Sequence, residues 1–151
     1  MEWTTHAMSG VVLGYTVTND WKFALFSGAT ALIPDLDEPK SKFGKLFFFI
    51  SIPLNRFFGH RTFTHSLLFT VLIGIVFLFF SPMYSLSSVL GVLAHIFGDM
   101  LTGRVQFLYP MKKKIGLKTS GLNYLITDRL ARLALLLIIV LFVSQDVFLN
   151  S

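Results

Sequence analysis

The four histidines of this chain fall in or beside motifs that carry carboxylates. His6 stands near the start. Asp35 and Asp37 lie in Pro34-Asp35-Leu36-Asp37, and His60 and His65 bracket His60-Arg61-Thr62-Phe63-Thr64-His65. His95 and Asp99 bracket His95-Ile96-Phe97-Gly98-Asp99. Imidazole and carboxylate together are the donors of Zn, Mn or Fe sites. Cysteine is absent, so a metal would rest on nitrogen and oxygen alone. The candidate ligands are His6, Asp35, Asp37, His60, His65, His95 and Asp99.

Spacing limits what each can do. His95 and Asp99 are four residues apart and share one helix face, so both could reach one ion. The plainer alternative is a hydrogen bond that holds two helices together. Pro34 and Pro39 stiffen the segment around Asp35 and Asp37, which can aim two carboxylates at one place or form a solvated turn. His60 and His65 are five apart and do not share a helical face. One of them is expected as a ligand, the other as a second ligand, a proton shuttle or an outer partner. Arg61 has the planar fork that matches phosphate oxygens, with an ordinary membrane-surface anchor as the alternative. Asp128 reads as a helix-start acid or an additional ligand.

These groups sit in an apolar chain. Of 151 residues, 54% are hydrophobic, 14% are charged and 17 are Phe; mean hydropathy is +0.69. Soluble domains carry roughly 25% charged residues. The expected fold is all-α, a polytopic integral membrane helical bundle forming a single domain over 1–151. Its parts are a short N-terminal helical hairpin over 4–33, an interfacial helix over 45–58 and three fuller transmembrane helices over 64–82, 84–102 and 129–149. Whether the hairpin spans or re-enters stays open. No cleavable signal peptide is expected at the start.

Charge sets the orientation. The net charge is +5, and every Lys and Arg except Lys22 lies in 40–61 or 104–132. Both windows flank apolar spans, which is the pattern of cytoplasmic loops and not the single basic stripe of a nucleic-acid binder. With both windows inside, the turn at 81–84 faces out and every ligand candidate collects at the cytoplasmic face. Lys112, Lys113 and Lys114 then mark topology or hold anionic headgroups, at ~1 kcal/mol per charge.

The early His, then PDLD, then HRTFTHS, then HxxxD followed by Thr102-Gly103 and Pro110, resembles the YdjM-like bacterial inner-membrane family, described as membrane-bound metal-dependent hydrolases. More distantly the pattern resembles the zinc-dependent phospholipase C and single-strand nuclease superfamily, in which a His-x-x-x-Asp pair helps hold a metal cluster. His95 and Asp99 match that pair, and His6, Asp35 and His65 would supply further ligands. The later His-rich motif of that superfamily has no counterpart here, so one or two ions are expected, Zn ahead of Mn or Fe. The resemblance implies a multi-pass protein of the bacterial inner membrane that cleaves a phosphoester of a phospholipid or lipid-linked phosphate. Arg61 would hold the phosphate and Asp37 would act as general base. A metal-binding transporter and a noncatalytic membrane adaptor are the other readings of the same residues.

Overall fold

A computed structural model describes residues 1–117, 119 and 121–149; Lys118, one of the expected basic-loop residues, lies outside them. The chain is helical. Helix α1 runs over Trp3–Thr18, α2 over Trp21–Thr30, α3 over Lys42–Leu46 and α4 over Phe48–Phe58. Helix α5 runs over Leu67–Leu78, α6 over Pro82–Thr102 and α7 over Leu122–Leu149. Short 3-10 turns cover Pro34–Asp37 and Phe63–His65. Among the described residues the only β pairing is an isolated antiparallel bridge between Val105 and Ile115.

The expected hairpin is α1 and α2. Asn19 turns the chain in the left-handed region (φ 50°), and the Asp20 side chain caps α2 by accepting from Lys22 N. The two helices pack closely because their contact is made of small residues. A Cβ on Gly10 would lie 2.7 Å from the Ser27 carbonyl oxygen, and one on Gly91 of α6 would collide with that same oxygen and with Thr30 Oγ1. Helix α6 therefore settles into the α1–α2 pair and also packs on α5, while α7 leans on α1.

Two helices, α6 and α7, are long and apolar enough to cross a membrane. The third full span expected over 64–82 is not formed at that length. Helix α5 has 12 residues, ~18 Å at ~1.5 Å per residue. The reason is local: Phe63–His65 are drawn into a 3-10 turn, and Ser66 caps the helix by accepting from Phe69 N at 3.2 Å. The expected interfacial segment is α4, whose Phe48, Phe49, Ile52 and Phe57 are all exposed. Helix α7 likewise exposes Leu130, Leu133, Leu137 and Val140. Helix α6 instead buries a polar face of Ser87, Ser88, His95 and Asp99.

Chain direction alternates through α1, α2, α5, α6 and α7. The start of α1, the end of α2, the start of α5, the end of α6 and the start of α7 thus share one end of the bundle. The segment after α6 locks that end. Val105 and Ile115 exchange backbone hydrogen bonds of 2.9 and 2.8 Å, Phe107 O accepts from Leu67 N, and Arg61 O accepts from Gln106 N.

Candidate metal centre

Asp99 is the hub of that end. It is almost fully buried, one helical turn beyond His95. His6 Nε2 lies 3.3 Å from its Oδ1, and His65 Nε2 lies 3.2 Å from its Oδ2. Arg61 approaches from the outer side, with Nη2 donating to Oδ1 at 3.0 Å and Nε 2.9 Å from Oδ2. Met1 N stands 2.8 Å from Oδ1. A buried carboxylate demands such company, because its charge is expensive to desolvate.

His95 completes the centre. Its ring stacks on His6 with centroids 3.7 Å apart. Its Nδ1 is 2.6 Å from the Ala31 carbonyl oxygen, which can only accept, so Nδ1 carries the proton. In the neutral ring Nε2 is then a lone pair, and it lies 3.1 Å from His65 Nε2. His65 Nδ1 faces Thr64 Oγ1 at 3.0 Å and Asp37 Oδ2 at 3.3 Å, and since Thr64 Oγ1 itself donates to Asp37, Nδ1 is the donor there. The two Nε2 atoms therefore face one point beside Asp99 Oδ2 that must hold a proton or a cation. Burial opposes the charge on His65, but its hydrogen bonds to Asp37 and Asp99 raise its pKa to about 9 and favour the proton when no cation is bound. Asp35 Oδ1 closes the opposite side, 3.8 Å from His95 Nε2.

Two overlapping triads have donor atoms within 4.8 Å of one another: His6, Asp35 and His95, and His65, His95 and Asp99. The fold thus gathers five of the seven expected ligands, drawn from four separate segments. It sets the other two, Asp37 and His60, behind His65. Asp37 is fully buried, and both its oxygens are taken. Oδ1 meets His60 Nδ1 at 2.7 Å; Oδ2 accepts from Arg61 N and Thr64 Oγ1 and faces His65 Nδ1. Burial opposes its ionisation, yet the hydrogen bonds and charges of His60 and His65 hold its carboxyl below the ordinary carboxylate range. Asp37 is placed to orient His65, and being fully buried with both oxygens engaged it is less open to a water than Asp35, which argues against the general-base role expected for it. Asp35 differs. Burial pushes its carboxyl up, and it borders open space.

That open space is a cleft of about 290 Å³ whose walls include Trp3, Lys42, His60, Arg61 and Tyr124. Lys42 and Tyr124 escaped sequence reasoning, since neither sits in a motif. Asp128 is not at the centre: it accepts from Glu2 N at 2.9 Å and Arg132 Nη2 at 2.6 Å, tying α7 to the start of α1.

The residues suit a small divalent cation. The donors are imidazole nitrogen and carboxylate oxygen, and His6 Nδ1, though buried, has no hydrogen-bond partner among the described residues. Each of His65 and His95 has its far ring nitrogen held by an oxygen, the arrangement that fixes the tautomer of metal-ligating histidines.

An apolar helical chain with two membrane-length helices and a buried His/Asp cluster at one end defines a class of helical membrane proteins. The chain belongs to the YdjM inner membrane protein family, whose model matches residues 1–150. It is 42% identical over 100 residues to Inner membrane protein YdjM of Escherichia coli (strain K12), covering 61% of this chain and 51% of that protein. The counterpart in Shigella flexneri gives the same figures. The Bacillus subtilis (strain 168) protein YvsG, described as uncharacterized, is 33% identical over 121 residues, 75% of this chain and 76% of the relative. The chain spans about half the length of the two inner-membrane relatives. No solved structure matches it.

Proposed function

We propose that this chain is a membrane-bound, metal-dependent hydrolase that cleaves a phosphoester of a lipid or lipid-linked substrate at the cytoplasmic face. One or two divalent ions, Zn foremost, are held by His6, Asp35, His65, His95 and Asp99. The observation that carries the reading is the 3.1 Å approach of His65 Nε2 to His95 Nε2 beside Asp99, with both far nitrogens held by oxygens. Two lone pairs at that distance repel unless a cation or proton lies between them.

A divalent ion there supplies a Lewis acid and brings the pKa of water from 15.7 to ~7. The protein's own groups do the rest. Asp35, at the edge of the cleft, would give Oδ1 to the ion and offer its other oxygen to the proton of an attacking water. Arg61 is the guanidinium nearest the cluster and the group to hold phosphate oxygens, at the expense of its grip on Asp99. Asp37 orients His65, and His60 with it.

A conduit would need ionisable groups continuing through the bundle. Among the described residues, the buried histidines and carboxylates are His6, Asp37, His65, His95, Asp99 and Asp128, all at the cluster end. That favours chemistry at one face over passage across. The basic windows lie at the same end, which supports a cytoplasmic orientation for it by the positive-inside rule. The test is elemental analysis of purified protein, followed by incubation with phospholipids and chromogenic phosphodiesters with and without chelator. Stoichiometric metal with chelator-sensitive phosphate release is expected. Protein without metal overturns the reading.

A further inference from the structure

A second depression lies beside the cleft. It is an apolar groove of about 280 Å³ formed by Ala29, Leu32, Ile33, Leu36, Phe43 and Phe47. The cleft and the groove are built from the same two segments. Around the Pro34–Asp37 turn, Asp35 faces the cleft and Leu36 the groove; on α3, Lys42 faces the cleft and Phe43 the groove. Consecutive Cα atoms are ~3.8 Å apart, so the two depressions share a wall one residue thick. Trp3 joins them: its ring lies 5.0 Å from Lys42 Nζ on one side and makes an edge contact with Phe43 at 6.0 Å on the other.

Polarity therefore changes abruptly across α3, from a wall of charged groups (Lys42 and Arg61 beside Glu2, Asp35, Glu38 and Asp99) to phenyl and leucyl. The outer surface beyond the groove is apolar too, with Leu46, Phe48 and Phe49 exposed. A ligand that fills both sides has a polar head joined directly to a hydrocarbon chain, and with a divalent ion on the acidic ligands, beside Arg61 and Lys42, that head is an anion.

We propose that the groove is the chain-binding subsite of the centre, and that the substrate is an amphiphile with its phosphoester in the cleft and one hydrocarbon chain, acyl or isoprenoid, laid over α3 into the groove. This rests on the metal-centre reading above and adds to it a determinant of substrate class. Ala29 and Phe47, both exposed, set the groove's free edge.

The test uses the metal-loaded full chain in maltoside micelles, with two non-hydrolysable probes, ethylphosphonate and dodecylphosphonate, whose binding is measured by calorimetry. Ala29→Trp fills the groove with an indole and Phe47→Gln makes its edge polar. Melting temperature and metal content of each show that it has folded. The ratio of dodecyl to ethyl affinity is expected to fall about tenfold or more in both variants, the worth of roughly two buried methylenes. Micelle partition is common to all three proteins and cancels from the comparison. A ratio equal to wild type in both variants overturns the subsite and leaves the metal centre standing. Failure of wild type to bind ethylphosphonate removes the anion site, and the proposal with it. A change in oligomeric mass by light scattering in Ala29→Trp assigns the groove to contact between copies and also overturns it.

Discussion

The two ends of the bundle each place a carboxylate among aromatic and helical neighbours, and they do so in opposite ways. At the far end Asp146 of α7 accepts from Tyr15 Oη on one oxygen and from Trp21 Nε1 on the other. The Tyr15 ring packs at a tilt on Trp21 and Phe142, with centroids 4.4 and 4.8 Å away. That is a clamp between helices, and its hydrogen-bonding groups match donor to acceptor. At the cluster end Asp99 is approached by Arg61 and three imidazoles, while nitrogen faces nitrogen across 3.1 Å. Polar groups that only hold a fold together are paired like those of Asp146. Two ring nitrogens at that distance hold a proton or a cation between them, and so form a place where a cation can replace a proton.

The largest expected effect tests that contrast directly. His95→Ala removes the ring shared by both triads and should take metal content from stoichiometric to background. Phosphoester turnover should fall beyond the ~10–100-fold that loss of an outer partner brings. A His95→Ala protein that keeps its metal would reduce the cluster end to a second clamp. Next in size is Asp37→Asn. It keeps the shape but weakens the hold on His65 Nδ1, so metal affinity should drop by ~10–100-fold, read by competition with a chelating dye. An unchanged affinity would mean that Thr64 alone orients the ring.

How much of this was legible in the sequence depends on the range of each interaction. The side on which His6, Asp35, His65, His95 and Asp99 gather followed from helix directions, because alternating spans return to the same end. The break between α1 and α2 was also legible, since Asn19 and Asp20 carry the turn and the cap. What could not be read was which atom each side chain presents. Asp37 and Asp35 look equivalent two residues apart, yet one faces the outer nitrogen of His65 and the other faces His95. The Ala31 carbonyl that fixes His95 belongs to a backbone 64 residues away and has no sequence signature. The shortness of α5 was hidden for a related reason. Thr64 and His65 lead into the apolar run at Leu67 with no Pro or Gly to break a helix, and only Ser66 at the cap marks where helix begins.

A smaller effect is expected from the packing that holds Ala31 in place. Gly91→Ala drives a methyl into the Ser27 carbonyl and Thr30 Oγ1, and overpacking of this kind costs about 1–3 kcal/mol. Because α2 must shift, metal affinity should fall along with the melting temperature. Gly98→Ala meets the flexible Met1 side chain at 2.9 Å and the His6 ring at 3.3 Å, with no backbone in the way, and should cost less melting temperature. Equal losses in the two variants would argue against backbone contact as the cause. Tyr15→Phe, which removes one donor from Asp146, should lower the melting temperature and leave metal content untouched. Loss of metal in that variant would erase the distinction between the ends.

The smallest effect lies in the acid limb of the metal-free protein, where Asp35 and Asp37 should pull in opposite directions. The Asp37 carboxyl is held below its ordinary value near ~3.9, so its ionised form stabilises the fold. That contribution is complete above ~pH 4 and is lost as the carboxylate takes up its proton at lower pH. The Asp35 carboxyl is raised by burial, so its charged form burdens the fold near neutrality and its protonation relieves that burden as pH falls. Asp37→Asn should therefore flatten the loss of stability on acidification, and Asp35→Asn should steepen it, both read from melting temperatures between about pH 6 and pH 3. Parallel curves in the two variants would show that the neighbouring histidines, and not the two aspartates, carry the pH dependence of this end.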